Sequence, residues 1–103
     1  MSDIWTEADI PRLNPERVTR MREILTEALV PLALEINDES HKHVGHAGAR
    51  GGQGHFSVTV VSEAFAGKLP LARHRLVYTA LGDMMTTDIH ALAITAKAPD
   101  EVA

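Results

Sequence analysis

Four of the six histidines in the chain lie in one short run, HKHVGHAGARGGQGH, at residues 41–55. Imidazole nitrogens are ligands that zinc, copper, nickel and iron accept, so this composition favours a metal site. Five glycines are interspersed among these histidines, and glycine gives the backbone a freedom that a rigid metal site does not have. The run therefore leaves two interpretations open: a metal site, or a loop that holds nothing firmly.

The chain contains no cysteine. It therefore cannot form a disulfide, supply a thiol nucleophile, or hold zinc or an iron–sulfur cluster through thiolates of its own. A length of 103 residues with 45% hydrophobic residues fits one domain that buries a core without help from a disulfide or a metal. A function for the histidines does not have to compete with a structural need for metal.

Charge is distributed unevenly along the chain, whose formal net charge is −4. Residues 1–40 hold nine acidic and four basic residues, whereas residues 64–82 hold no acidic residue and three basic ones: Lys68, Arg73 and Arg75. The overall negative charge argues against indiscriminate binding to phosphate backbones. It leaves room for one small basic patch, which is either a solvated helix face or a surface that binds a partner or nucleic acid.

The N-terminal segment has no basic region followed by an apolar run, so it does not match a secretory signal. No apolar stretch approaches the ~20 residues that a membrane-spanning helix needs. From these two observations we expect a cytoplasmic protein that does not bind membranes.

The first predicted element is a helix that begins with Asn14 as N-cap and Pro15 at its first position. Apolar residues then recur at helical spacing until Pro31 ends the helix: Val18, Met21, Leu25, Ala28 and Leu29. We predict that residues 1–13 are a flexible tail and that residues 14–103 form the folded domain.

Three segments have the pattern of β-strands. Residues 32–38 alternate, with Leu32, Leu34 and Ile36 on one face, and residues 56–62 resume the alternation after the glycine-rich run. Residues 89–96 are apolar on both faces, which predicts a strand that is covered on both sides or buried at one end.

A second helix is predicted to begin near Pro70. Its apolar face should carry Leu71, His74, Val77, Tyr78 and Leu81. Gly82 either caps this helix or weakens its middle, and Met84 and Met85 favour another turn. The order is then α-β-β-α-β, an α+β fold with a three-stranded mixed sheet, since a strand–helix–strand crossover usually gives a parallel pair. Helices are expected to cover one face of this sheet.

Five short motifs occur in order along the chain: DES at 38–40, HF at 55–56, VSEAFAG at 61–67, RHRLVY at 73–78 and IHALAI at 89–94. Together they resemble the BolA-like protein family, over about residues 14–101. The resemblance implies a fold similar to the class II KH domain, which agrees with the element order predicted above.

The resemblance also implies a function. BolA-like proteins partner monothiol glutaredoxins and share a [2Fe–2S] cluster with a glutaredoxin cysteine and a glutathione thiol. Some bacterial members are linked instead to transcription regulation in stress response and cell morphology. The resemblance thus implies a glutaredoxin and glutathione as partners, DNA as an alternative partner, and no cofactor in the isolated chain.

The family pattern places an iron ligand at the histidine of the IHAL motif, which is His90 in this chain. A neutral imidazole on iron raises the cluster potential relative to thiolate ligation and makes binding depend on pH. On spacing alone, a single histidine at the start of a strand is more often structural. The family pattern favours the ligand interpretation for His90.

The family also offers a second ligand, histidine or cysteine, shortly after the DES segment. His43 matches that position, with His46 as the alternative. The glycine-rich stretch at 47–54 departs from the family's stiffer run, so the choice between them stays open. His55 is expected to anchor the end of the loop, although it could reach a site shared with His90.

Two further observations argue against RNA binding and against catalysis. GARG at 48–51 matches the GxxG clamp of KH domains, but it lies between predicted strands where that clamp joins two helices, so KH-type RNA binding is not expected. No serine lies in a nucleophile elbow, and we interpret the protein as a non-enzyme. His74 is expected to be buried or half-buried on its helix.

Three functional hypotheses remain. The first is an adaptor that binds a monothiol glutaredoxin and supplies histidine ligands to a shared [2Fe–2S] cluster, for cluster trafficking or iron regulation. The second is a DNA-binding regulator that uses the basic patch. The third is a weak zinc or nickel site formed by the loop histidines alone.

Overall fold

The computed structural model of the chain describes residues 15–40 and 54–102. The helices and strands follow in the order α1 (Pro15–Leu29), β1 (Ala33–Asp38), β2 (Gly54–Val61), α2 (Pro70–Leu81), α3 (Met84–Thr87) and β3 (Ile89–Lys97). Short 3-10 helices at Glu63–Phe65 and Pro99–Glu101 follow β2 and β3. The predicted α-β-β-α-β order is confirmed, with α3 and the two 3-10 helices added. The predicted tail, Asn14 and residues 41–53 lie outside the described ranges.

The three strands form one mixed sheet in the order β1-β2-β3. β1 pairs with β2 antiparallel, and β2 pairs with β3 in parallel. This arrangement confirms the mixed sheet expected from the crossover through α2. The ends of β1 and β2 that flank residues 41–53 lie side by side, with Asp38 opposite Phe56.

One face of the sheet and the helices enclose the core. α1 buries Met21, Leu25 and Leu29, which are four residues apart and therefore share one side of the helix. The rest of the core comes mainly from the inner face of the sheet and from the segments after β2: Ile36, Phe56, Val58, Val60, Phe65, Val77, Leu81, Met84 and Ile89. Full burial of a side chain of this size stabilises the fold by about 1.5–3 kcal/mol.

The outer face of the sheet carries small or polar side chains. Thr59 on β2 and Ala91, Ala93 and Thr95 on β3 are exposed there. The expectation that β3 is covered on both faces is therefore wrong, because alanines supply the apolar pattern of its outer face. The alternative, burial at one end, agrees with Ile89, which is buried at the start of the strand.

α2 ends at Leu81 and is capped by Gly82, whose backbone φ is +54°, a conformation that glycine adopts without steric cost. The option that α2 runs on is wrong, since Met84 begins the separate helix α3. The predicted apolar face of α2 is also too wide. Leu71 is 62% and Tyr78 41% exposed, whereas Val77 and Leu81 of the same predicted face are buried.

β1 begins at Ala33, one residue later than the alternation predicts. The alternation predicts Leu32 on the same face as Leu34 and Ile36, but Leu32 is 70% exposed. The Leu32 amide donates to the carbonyl of Val61, which is the residue that pairs with Ala33. Leu32 therefore lies outside the regular ladder, and its side chain does not follow the alternation of β1.

An arginine from a helix reaches each outer edge of the sheet. Arg22 of α1 donates to the carbonyl of Leu34 on β1, and Arg73 of α2 donates to the carbonyl of Ala96 on β3. In an edge strand, every second residue directs its backbone N–H and C=O away from the sheet. The pairing of β1 and β3 with β2 shows that the carbonyls of Leu34 and Ala96 are two of these outward groups.

Candidate functional site

His90 is exposed at the second position of β3, where the pairing with β2 is irregular. Gly54 pairs with Ile89 and His55 pairs with Ala91, so His90 is an extra residue on its strand. Such a β-bulge leaves one residue outside the regular ladder and changes the direction of its side chain. The bulge accounts for the exposure of both His90 and Ala91 directly after the buried Ile89.

The bulge brings His90 against His55 at the start of β2. The centroids of the two imidazole rings are 5.0 Å apart, and the ring planes are tilted by 50°. His55 is buried, with 8% of its surface exposed, whereas His90 faces solvent. The structure therefore joins two of the histidines that the sequence singles out, one inside the domain and one on its surface.

Ser40 and Gly54 hold the base of the segment 41–53. The Ser40 hydroxyl oxygen accepts a hydrogen bond of 3.1 Å from the amide of His55, and the amide of Glu39 donates to the carbonyl of His55. A Cβ on Gly54 would lie 2.5 Å from the Phe56 ring and 2.8 Å from the Ser40 hydroxyl, so only glycine fits. The segment therefore leaves and re-enters the domain next to His55.

Asp88 connects this end of the sheet to α1. Its carbonyl accepts from the amide of Gly54, and its carboxylate accepts from Arg17 of α1 at 3.1 Å. The Thr87 hydroxyl, which donates to Asp88, lowers the pKa of that carboxyl; partial burial opposes this effect and Arg17 adds to it. A carboxylate that stays ionised fixes the start of β3 two residues before His90.

One side chain of a kind that iron–sulfur clusters accept as a ligand is exposed at this end of the sheet. His90 offers an exposed imidazole on a strand, and imidazole is an established ligand of [2Fe–2S] iron. Within residues 15–40 and 54–102, no group of three or more His, Cys, Asp or Glu side chains could hold a metal ion. His43 and His46, the predicted second ligand and its alternative, lie outside the described ranges.

Arg73 of the predicted basic patch is engaged within the domain. Its guanidinium donates to both carboxylate oxygens of Glu101, at 2.6 and 2.9 Å, and to the carbonyls of Lys68 and Ala96. This pairing, followed by a hydrogen bond from the Ala98 amide, lowers the pKa of Glu101 from 4.5 to about 2. Lys68 and Arg75 are the two exposed members of the patch. No local sequence pattern indicates the Arg73–Glu101 contact, which joins residues far apart in the chain.

Two other sequence predictions concern α2 and the glycine-rich run. His74 is half-buried on α2. The GARG motif is outside the described residues, but the elements on either side of it are the strands β1 and β2. None of the helices described is long and apolar enough to cross a membrane.

Comparisons with known proteins agree with this architecture. The family model described as BolA-like protein matches residues 25–101. The chain is 46% identical over 91 residues to SufE-like protein 1 of Arabidopsis thaliana, a match that covers 84% of this chain and 24% of that protein. It is 41% identical over 75 residues to the DNA-binding transcriptional regulator BolA of Escherichia coli (strain K12), covering 73% of this chain and 69% of that protein.

Solved structures of relatives have the same fold. The BolA domain of SufE1 from Arabidopsis thaliana superposes with a TM-score of 0.76 at 42% identity, covering 87% of this chain and 99% of that domain. BolA1 from the same plant gives a TM-score of 0.71 at 40% identity, covering 87% of this chain and 98% of that structure. The chain spans 55% of the full chloroplastic BOLA1 protein. The predicted fold and family are confirmed, and the chain belongs to the BolA-like protein family.

Proposed function

We propose that the protein is an adaptor that binds a monothiol glutaredoxin and supplies imidazole ligands to a [2Fe–2S] cluster shared with that partner and glutathione. The observation that carries the proposal is His90, an exposed imidazole that a β-bulge directs away from the regular ladder of β3. The resemblance to the BolA-like family supplies the identity of the partner and of the cluster.

The chemistry of the chain supports a shared site. The chain has no cysteine, so the thiolate ligands of a cluster must come from another molecule. A partner can approach His90 because that residue is exposed, while Asp88 and Ile89 anchor the strand directly before it. In this proposal His90 holds iron and the buried strand residues keep its backbone in place. The proposed second ligand is His43, or His46 in its stead.

The test is a spectroscopic titration. A monothiol glutaredoxin carrying its glutathione-ligated [2Fe–2S] cluster is mixed with this protein, and the visible circular dichroism is recorded. We expect the spectrum to change on addition of the wild-type chain and to stay that of the glutaredoxin when His90→Ala is added.

A matched control separates ligation from general effects of losing an imidazole. His74→Ala removes a half-buried histidine on α2 and should behave as the wild type. Separate His43→Ala and His46→Ala variants then identify the second ligand by which of them reproduces the loss. A wild-type spectrum from His90→Ala would remove the ligand assignment.

A second candidate function is DNA-binding regulation of transcription. The relative from Escherichia coli named as a DNA-binding transcriptional regulator favours it, as do the exposed cations Lys68 and Arg75. Engagement of Arg73 with Glu101 weakens it, because two exposed cations give only modest, salt-sensitive affinity for phosphates.

The DNA candidate is tested by measuring binding to a pool of duplexes at several salt concentrations. Sequence-selective binding that falls in a Lys68→Gln, Arg75→Gln double variant, but not in a Lys97→Gln variant, is expected if this function holds. Equal affinity for all duplexes at moderate salt would reject it.

We infer further that the protein is a binding protein and not an enzyme, since its sequence has no cysteine and no G-x-S-x-G nucleophile elbow. The cytoplasmic location remains a prediction from the sequence. Two of the plant relatives are named as chloroplastic or as chloroplastic/mitochondrial proteins.

A further inference from the structure

His55 lies beside the proposed ligand His90 but is part of the interior of the domain. Its amide donates to the Ser40 hydroxyl and its carbonyl accepts from the amide of Glu39, so its backbone is held by the residues that follow β1. Only 8% of its surface is exposed, and its Nε2 atom is buried. His55 therefore occupies a fixed position and does not offer Nε2 to a partner protein.

His90 has the opposite surroundings. Its side chain is exposed, and it belongs to a bulge where the ladder does not fix its direction. Within residues 15–40 and 54–102, the His90 ring meets the His55 ring, at a centroid separation of 5.0 Å and a tilt of 50°. The orientation of the exposed imidazole thus depends on the buried one.

We propose that His55 is a positioning residue for His90, and this inference rests on the proposed function of that site. A metal ligand must direct one ring nitrogen at the metal, and neighbouring groups that orient a ligating histidine strengthen metal binding. The buried ring of His55 forms a wall that restricts the rotamers of His90. A restricted ring loses less conformational freedom when a partner-held iron is bound.

The proposal distinguishes the shape of His55 from its ability to ligate. Phenylalanine keeps a flat ring at position 55 but has no nitrogen, whereas alanine keeps neither. If His55 positions His90 by ring contact, His55→Phe should resemble the wild type and His55→Ala should not. If His55 were itself a ligand, both variants would fail as His90→Ala does.

The first arm of the experiment uses the free protein and needs no cluster. Nuclear magnetic resonance gives the χ1 couplings of His90 and the contacts between its ring protons and residue 55. We expect one dominant χ1 rotamer with ring contacts in the wild type and in His55→Phe. Averaged couplings are expected in His55→Ala. Averaged couplings in the wild type would overturn the proposal.

The second arm titrates each variant into the cluster-carrying glutaredoxin and follows visible circular dichroism. We expect His55→Ala to bind about tenfold more weakly than the wild type, which is the low end of the effect of removing a group that orients a metal ligand. His55→Phe should restore most of that affinity. A His55→Ala affinity equal to that of the wild type, or a His55→Phe loss as complete as that of His90→Ala, would overturn the proposal.

Two controls keep the result interpretable. His55→Leu, which fills similar space without a flat ring, replaces His55→Ala if the alanine variant does not fold, and the same rotamer averaging is expected. Thr59→Ala changes an exposed side chain on the same strand and should leave both readouts unchanged. If the wild-type protein does not alter the glutaredoxin spectrum, the proposed function fails, and the first arm still decides whether His55 orients His90.

Discussion

The two ends of the sheet differ in whether their charged or metal-binding side chains face solvent or bind other groups of the domain. At the histidine end, where Gly54 pairs with Ile89, the ladder is interrupted by a bulge and an imidazole faces solvent. At the arginine end, where Val61 pairs with Lys97, the Arg73 guanidinium is bound to Glu101 and to two carbonyls.

Each end also has a buried serine, and the two serines show the same contrast. Ser62, at the arginine end, donates to the carbonyl of Leu29 and accepts from the amide of Ala64, so it joins two elements that both belong to the core. Ser40, at the histidine end, accepts from the amide of His55 and thereby closes the base of the segment 41–53. The arginine end therefore holds the domain together, whereas the histidine end supports a group that is presented to the outside.

The largest effect is expected from Gly54→Ala, because the added Cβ would meet the buried Phe56 ring and the Ser40 hydroxyl. Overpacking of this kind costs about 2–3 kcal/mol, measured as the free energy of unfolding in urea. Gly67→Ala is the control: it meets no atom within 4 Å and should cost only the strain of its positive φ, about 1 kcal/mol. An equal cost for both variants would show that the histidine end tolerates repacking.

Ser62→Ala is expected to lower the free energy of unfolding by about 2 kcal/mol, because it leaves the Leu29 carbonyl and the Ala64 amide without the hydroxyl. Ser57→Ala, a half-buried serine of the same sheet, should cost less than about 0.5 kcal/mol. Urea unfolding of both variants provides the measurement. A Ser62→Ala variant as stable as Ser57→Ala would contradict the role given to the arginine end.

Ser40→Ala should cost about 1 kcal/mol, since it removes one hydrogen bond to a buried amide. The more informative readout is the set of His90 ring resonances, which should move in Ser40→Ala and stay in place in Ser62→Ala. If both serine variants shift the His90 resonances equally, Ser62 at the arginine end also influences His90. The assignment of separate roles to the two ends would then be wrong.

The smallest effect concerns acid. The pKa of the Glu101 carboxyl is about 2 in the folded protein, whereas its ordinary value, which applies to the unfolded chain, is 4.5. The unfolded chain therefore binds this proton more readily than the folded protein does. The stability that this carboxylate contributes is therefore present above pH 4.5 and is lost as the pH falls from about 4.5 towards 2. Thermal unfolding of Glu101→Gln should show a shallower loss of stability across that window than the wild type. Identical slopes would mean that the Arg73–Glu101 pair does not contribute.

Periodicity in the sequence predicts the elements well where one face is buried. Met21, Leu25 and Leu29 on α1 and the alternation of β2 are confirmed because their spacing matches helix and strand geometry directly. The width of the apolar face of α2 is not predicted, because helical spacing alone does not say whether another element covers Leu71 and Tyr78. The sequence alone does not decide whether Gly82 caps α2 or lies within it. The backbone conformation of Gly82 shows that it is the cap.

The site is predictable only in part. His90 is found from the family pattern, but its exposure depends on a one-residue register shift against β2 that no local sequence pattern specifies. The same shift brings His90 into contact with His55. From the sequence, a position of His55 near His90 is only an alternative to its role as an anchor of the loop. Arg73 looked like a binding residue because its partner Glu101 lies 28 positions away.

The arginines at the sheet edges have a consequence for how molecules meet one another. Exposed edge strands are templates on which further strands add, and this sheet has two of them. Arg22 and Arg73 occupy one outward carbonyl on each side, and an incoming strand must displace a guanidinium to pair there. The two helices thus oppose edge-to-edge aggregation, because each holds a guanidinium against one edge of the sheet.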